Sequence, residues 1–527
     1  MLYRVLVYCW LLVFTMASAN ALPEASLRPK IAATVNSLYQ ANQGQNLWVR
    51  LGQPTPAAQT ALRILAEARS HGLDDDLYGV DLLYLLHEKL SQGSTGHEQD
   101  FELGLSMSLL RLISDLRPAE FDLMPHEDQA NALLEAIYSG QLEHFLNGFV
   151  PRDPQYHALR EALHTYELGA HSRLRVAIDD GPILRPGDVG PRVARLRERL
   201  LGSLHFAYGE AQRNTFDAVL ERAVREYQEA NGLAVDGIAG RGTVRHLDMT
   251  DDERIARIKL NLDRWRRLPL DLGRDHVLVN IPEYRLRYVR DGEQHLSMRV
   301  VVGSKSNPTP ELNDEIEYLV FNPYWYVPSG ILRRELLPTV KKDSSYLSKN
   351  SFELLVDNRA ISPEEVNFNN VDFNDFPYRI RQKPGSHNAL GTVKFLLPNP
   401  SNIYLHDSPA KSLFARSDRA FSHGCIRLEY PDLLAQALLA EDTEWTESRI
   451  SSTITAGERQ QVNLDAPVPV YLAYFTVRVL DNGSVAFFDD IYERDSAFLK
   501  NFDGQRGQPA EVEIIAQQAA DVWNDAI

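Results

Sequence analysis

Hydrophobic and polar positions change period along this chain, and the changes divide it into regions. Residues 22–177 carry Leu, Ala and charged residues at helical spacing, as in Ala61-Leu62-Arg63-Ile64-Leu65-Ala66 and Leu109-Leu110-Arg111-Leu112-Ile113, which predicts a helical domain. A second helical unit is expected over 178–249. Asp179-Asp180-Gly181-Pro182 marks a turn, Val193, Leu196 and Leu200 fall on one helix face, and Leu220, Ala223, Val224 and Tyr227 repeat the pattern until Asn231-Gly232 stops it. From Asp275 the period shortens to two. Val277, Val279 and Ile281, then Tyr284, Leu286 and Tyr288, then the runs 297–302, 316–321, 393–397 and 468–480 read as strands. This β-rich domain is assigned to 250–500. It is interrupted over 329–384 by a polar, Asn-rich insertion with some helical character, too long for a hairpin loop and therefore a candidate lid. Residues 501–527 remain as a C-terminal tail. The expected fold class is multidomain α+β, with two helical units ahead of a β-sandwich-like domain.

The chain's beginning has a different character. Arg4 precedes an unbroken apolar run over 5–14, and small residues follow, with cleavage-type triplets ending at Ala19 and at Ala21. This predicts a signal peptide over 1–21 and export to the periplasm. The alternative is an uncleaved anchor, for which the run is short against the roughly 20 residues of a span. With 527 residues and 44% hydrophobic composition the chain can fill several cores, and its formal charge of −17 argues against a nucleic-acid partner.

Only two cysteines occur, and Cys9 lies in the expected signal, so Cys425 would stand alone in the mature protein. No intramolecular disulfide is then possible. A lone thiol is either a buried inert cysteine or a reactive one, and its neighbours decide. They are Tyr404-Leu405-His406-Asp407 and Phe421-Ser422-His423-Gly424-Cys425-Ile426-Arg427-Leu428. A cysteine attacks carbonyls as its thiolate and needs a base or a cation nearby. His423, two residues before Cys425, tends to point elsewhere. His406, ending a short strand, can lie opposite on a neighbouring one, and is the expected base. Gly424 permits unusual φ/ψ and close approach, and backbone N–H groups of Cys425, Gly424 or the Ser422-His423 turn can serve an oxyanion. Arg427 offers a dock for a substrate carboxylate, or else pairs with Glu429 or Asp432. A zinc site would need more ligands than this cluster supplies, and Ser408-Pro409-Ala410-Lys411 only spells a serine-enzyme motif by chance.

The Ser-His-Gly-Cys-Ile-Arg string with the preceding His-Asp resembles the signature of L,D-transpeptidases with a YkuD-type catalytic domain. Pro384-Gly385-Ser386-His387-Asn388-Ala389-Leu390-Gly391-Thr392-Val393-Lys394-Phe395, Leu397-Pro398-Asn399 and the Val320 to Pro328 stretch are similar to the family's large periplasmic branch. That branch has a helical scaffold, a three-helix peptidoglycan-binding module and a catalytic domain with a capping subdomain. The second helical unit resembles that module through its Pro-Gly-Asp opening, its Ala-Val-x-x-Tyr-Gln helix and its Asp-Gly-x-x-Gly-x-x-Thr turn. A helical spacer that binds nothing is the other reading, and Arg197 stands where the module usually has Gln. The resemblance implies a cysteine acyltransferase of cell-wall biogenesis and cell shape that releases D-alanine from a tetrapeptide stem and forms a 3→3 cross-link, with no metal or organic cofactor. Hydrolysis instead of transfer, an L,D-carboxypeptidase, and a non-catalytic wall-binding scaffold are the alternatives. Expected partners are peptidoglycan stem peptides and glycan, with cell-wall synthases as further candidates. Tyr404, Trp325, Asn388 and Arg381 become candidate substrate contacts; Tyr404 and Trp325 could equally be core aromatics, and Asn388 a turn residue.

Overall fold

The alternating runs of the C-terminal half pair into a sheet, because each buries every second side chain against the same core. In the computed structural model, which describes residues 24–117, 124–169, 177–179, 181–202, 209–231, 233–368, 371–372, 375–496 and 499, the chain forms two units. The expected signal peptide and C-terminal tail lie outside the described residues. No described helix is long and apolar enough to cross a membrane.

The first unit comprises the chain up to Arg152 with residues 265–270. Its helices Glu24–Ala41, Pro56–Ala66, Val80–Ser91, Glu98–Leu116 and His126–Tyr138 enclose an apolar core, beside a small hairpin of β1 (Val49–Arg50) and β2 (Gln53–Pro54). Phe101, Leu105, Leu109, Leu112 and Leu116 form the buried stripe of the longest helix. The buried Glu102 belongs to the architecture: it accepts the N–H of Trp48 at 2.9 Å, the N–H of Val49 at 3.0 Å and the Tyr39 hydroxyl at 3.0 Å.

The second unit contains a three-helix module and the sheet domain. Helices Pro191–Leu201, Ala218–Ala230 and Arg241–Asp248 pack Val193, Leu196, Leu220, Val224, Val244 and Leu247 into one core. The Tyr-Gln pair of the middle helix has a definite job. Gln228 donates to Asp236 Oδ1 at 2.8 Å and to the Ile238 carbonyl at 2.9 Å, and accepts the Gly237 N–H at 2.9 Å, so it fastens the Asp-Gly turn. Arg197 is fully buried against Asp217 at 2.8 Å and the Thr215 carbonyl at 2.7 Å. The guanidinium thus ties the first helix of the module to the turn ahead of the middle one. His246 accepts the Tyr227 hydroxyl at 2.6 Å and donates to the Phe487 carbonyl at 2.7 Å, joining the module to the sheet domain.

That domain is built from β3 (His276–Asn280), β4 (Arg285–Arg290), β5 (Glu293–Gly303), β6 (Leu312–Phe321), β11 (Val393–Leu396), β12 (Leu405–His406), β13 (Ala420–Ser422), β14 (Ile426–Leu428) and β15 (Gln460–Ala473). Among the described residues these make one sheet in the order β13-β5-β14-β12-β11-β6-β15-β3-β4. β5 also pairs with β4, so the sheet closes on itself around a single core. The expected 468–480 strand is broken: β15 ends at Ala473, and residues 477–479 form β16, which pairs with β17 (Val485–Phe487).

Between β6 and β11 the chain makes a smaller sheet, β7 (Trp325–Tyr326), β8 (Phe352–Val356), β9 (Arg359–Ile361) and β10 (Arg379–Gln382), in the order β7-β10-β8-β9. Short helices carrying Leu336, Val340 and Leu347 cover it, together with Phe352, Leu354 and Ile380. The segment has its own core. Because β7 pairs with β10, this small sheet begins ahead of residue 329.

Candidate active site

Strand register places the candidate side chains. β12 runs parallel to β14 with Leu405 opposite Ile426 and His406 opposite Arg427. Leu405 and Ile426 are fully buried in the core. Alternation along each strand therefore puts Tyr404 and His406, with Cys425 and Arg427, on the other face. The Ile426 N–H donates to the Tyr404 carbonyl at 3.1 Å, which sets Tyr404 across from Cys425, with His406 on the diagonal. On the far side of β12, β11 presents Lys394 opposite His406. Its Nζ lies 3.9 Å from the centre of the Tyr404 ring, and the Tyr404 and His406 rings are 5.5 Å apart. The Cys425 thiol points toward the Asn402 carbonyl, with Sγ to O at 3.7 Å.

The turn before Cys425 is tightly fastened. Ser422 Oγ accepts the Gly424 N–H at 3.0 Å and donates to the Cys425 carbonyl at 2.5 Å. Gly424 has φ of +118°, a conformation in which a side chain is strained. Its carbonyl accepts from Thr309 Oγ1 at 2.7 Å, and Thr309 in turn accepts the Gly303 N–H at 2.9 Å. The Gly424 N–H is thus already taken by Ser422, which corrects its expected place among the oxyanion donors. The Cys425 N–H has no protein acceptor among the described residues, and so stays available.

His406 is buried, and its Nδ1 is hydrogen-bonded to the carbonyl of Asp407. A carbonyl only accepts, so the proton sits on Nδ1 and Nε2 keeps its lone pair. Burial, and then the Arg427 charge, push His406 down to about 3, so the ring is neutral at ordinary pH. Asp407 is held rigidly behind it. Its carboxylate accepts from Thr392 N–H at 2.9 Å, Thr392 Oγ1 at 3.0 Å, Ser408 N–H at 2.6 Å and Lys411 Nζ at 2.7 Å. Gly391, with φ of +61°, leaves the space this carboxylate fills; a Cβ there would collide with it. Burial raises the Cys425 thiol, while Tyr404, Lys394 and Arg427 act in the opposite direction. Burial and then the charge of Cys425 hold the Tyr404 hydroxyl well above its ordinary range, so it is a donor. Arg427 keeps a buried Nε without a partner, and Glu429 is paired with Arg299 instead.

The model of the YkuD family, described as the L,D-transpeptidase catalytic domain, matches residues 274–453 and so contains the whole cluster from Lys394 to Arg427. This stretch belongs to the YkuD family. Two further models match, a scaffold domain over 33–163 and a peptidoglycan binding domain over 189–247. A "Putative L,D-transpeptidase" of Haemophilus influenzae is 37% identical over 241 residues, 45% of this chain; the match spans about half, 48%, of that relative's length. Among solved structures, residues 123–326 of an L,D-transpeptidase from Xylanimonas cellulosilytica match at 13% identity and TM-score 0.18, covering 56% of this chain and 98% of that one. The avibactam carbamoyl enzyme of Ldtfm matches at 13% identity and TM-score 0.19, covering 43% and 65%.

Other expected site residues of the YkuD domain lie elsewhere. His423 turns away from the sulfur and meets Glu335 of the inserted segment, Nε2 to Oε1 2.6 Å. Trp325 packs on Phe352, with ring centres 6.2 Å apart, in the inserted segment's core. Arg381 is engaged by Glu353 at 2.8 Å and stacks on Tyr324 at 4.2 Å. Asn388 is buried, donates to the carbonyls of Pro323 and Lys383, both at 2.9 Å, and accepts the Leu390 N–H at 2.8 Å. Trp325, Arg381 and Asn388 are engaged by the protein's own groups in this conformation, and both side-chain amide protons of Asn388 are taken. Sequence reasoning missed Lys394. Its only trace was a polar residue alternating with Val393 and Phe395, and the face it occupies follows from register alone. As to cations, the described residues bring carboxylates within mutual reach at Asp74, Asp75 and Asp76, in the other unit.

Proposed function

We propose that this chain is an L,D-transpeptidase that forms 3→3 peptidoglycan cross-links through a thioester on Cys425. The observation that supports the reading is a thiol just ahead of β14 on the sheet face that also carries, on β12, an imidazole whose tautomer leaves Nε2 free to take a proton. In the first half-reaction Sγ attacks the carbonyl of the stem's third residue as its proton passes to His406. The carbonyl oxygen gains negative charge against the Cys425 N–H. The carbon–nitrogen bond then breaks, and D-alanine leaves with the proton returned by His406. In the second half-reaction the side-chain amine of a second stem attacks the thioester, gives a proton to His406, and the sulfur recovers it. Arg427, with its unpartnered Nε, is the proposed dock for a stem carboxylate.

The inserted segment is proposed to cap this site. The Glu335–His423 contact supports that role, since it ties the segment to the residue two before the nucleophile. Excluding water from the thioester favours the amine over hydrolysis. The module over 178–249 would hold the glycan, and the N-terminal segment would direct the chain to the periplasm, where cell-wall synthases are candidate partners. Incubation of the purified protein with tetrapeptide muropeptides, followed by mass spectrometry, tests the function. Dimers linked 3→3 with free D-alanine are expected. Tripeptide monomers alone would assign a carboxypeptidase, and unchanged substrate would remove the enzymatic reading.

A further inference from the structure

We propose that Lys394 is a positioning residue for this reaction: its ammonium, held on the face of Tyr404, is the countercharge for the negative sulfur of Cys425. The inference rests on Cys425 being the nucleophile. Register brings Lys394 to the same sheet face as Tyr404, His406, Cys425 and Arg427. Its Nζ lies 3.9 Å from the centre of the Tyr404 ring, and Tyr404 is the residue directly across from Cys425. A ring face attracts a cation but supplies no compensating charge. Among the described residues Lys394 has no carboxylate partner, although it is partly buried, and such a group ordinarily finds one.

The groups facing it explain why. From β12 and the residue ahead of it come neutral His406 and Tyr404, from β14 and the residue ahead of it Arg427 and Cys425, and Arg459 acts on it from just ahead of β15. The nearest carboxylate along β12, Asp407, is taken by Thr392, Ser408 and Lys411. Apart from the phenol of Tyr404, whose proton is firmly held, Cys425 is the group in this set that can become negative. Burial lowers Lys394 and the charge of Cys425 raises it, while Lys394 in turn lowers the Cys425 thiol that burial raises. The two charges support each other. When the proton leaves Cys425 for His406, the new imidazolium sits beside Arg427 and Lys394, which is unfavourable, so charge on sulfur needs a stabiliser other than the histidine. Lys394 supplies it across the aromatic face, leaving Arg427 for the substrate.

The test is the pH profile of Cys425 alkylation by iodoacetamide in the full-length protein. Lys394→Met is expected to raise the apparent thiol pKa by about one unit or more, slowing alkylation at pH 7 by roughly tenfold. Lys394→Arg, which keeps the charge, should restore the profile substantially. A reciprocal reading leaves Lys394 in place: in Cys425→Ala, the lysine ¹³Cε resonance of Lys394 should titrate at lower pH than in the parent. An unchanged alkylation profile in Lys394→Met, or an unmoved Lys394 titration in Cys425→Ala if the first variant does not fold, would overturn the inference. The two proposals fail separately, because an unshifted profile with Cys425 still acylated by stem peptide removes only Lys394, whereas absence of acylation removes the transpeptidase reading itself.

Discussion

Tyr404 and Cys425 face each other across the β12–β14 pair, fixed by the hydrogen bond from Ile426 N–H to the Tyr404 carbonyl at 3.1 Å. This explains why the phenol, and not the histidine, is the sulfur's direct cross-strand neighbour. Tyr404→Phe keeps the ring under Lys394 and removes the hydroxyl, which acts to lower the Cys425 thiol. The apparent thiol pKa should rise and kcat/KM should fall by about tenfold, the size of one charge-assisted hydrogen bond. Alkylation rates against pH check the first, and turnover of tetrapeptide the second.

His423 and His406 separate cleanly in this geometry. His423→Ala should leave the pH profile of Cys425 alkylation in place, because the ring points to Glu335. His406→Ala should abolish turnover. A shift of the thiol profile in His423→Ala would contradict the assignment of His406 as base.

Asn388 is held by the protein's own backbone, and its first expected effect is on stability. Asn388→Ala leaves the Pro323 and Lys383 carbonyls and the Leu390 N–H without their partner, and should cost about 1–3 kcal/mol in chemical denaturation with little change in KM. Gly391→Ala should destabilise by roughly 1–3 kcal/mol as well, through its positive φ and the displacement of Asp407, and here activity should fall too.

Two histidines set an acid limit on stability. Burial pushes His406 down to about 3 and His246 down to about 4, whereas both titrate near 6.5 when unfolded. Between those values the unfolded chain binds more protons than the folded one. The stability these neutral rings allow is therefore complete above pH 6.5 and declines as pH falls toward 4 and then 3, by up to about 1.4 kcal/mol per pH unit for each group. Denaturant midpoints measured from pH 8 to pH 4 should show the decline, and His246→Gln should flatten it.

Much of this fold was legible in the sequence because its periods are strong. The helical spacing of Leu196, Leu220 and Val224 and the alternation of Val277, Val279 and Ile281 correspond directly to buried positions. That Cys425 and His406 come to neighbouring strands was also within reach, since both flank short apolar runs. Cross-strand facts were not. That Tyr404 faces the sulfur, that Lys394 joins the same face, and that Ser422 uses up the Gly424 N–H all depend on register and on a turn closed by Thr309, six residues beyond Gly303. That Trp325 and Arg381 lie on adjacent strands of the small sheet was likewise beyond the sequence, because it depends on the β7–β10 register.

The claim that Cys425 carries the acyl group is tested most directly by intact-protein and peptide mass spectrometry after brief exposure to tetrapeptide stem. The account predicts an acyl adduct on the Cys425 peptide, lacking the terminal D-alanine, that disappears on adding an amine acceptor and is absent from Cys425→Ala. An adduct on another residue, or full cross-linking by Cys425→Ala, would contradict it.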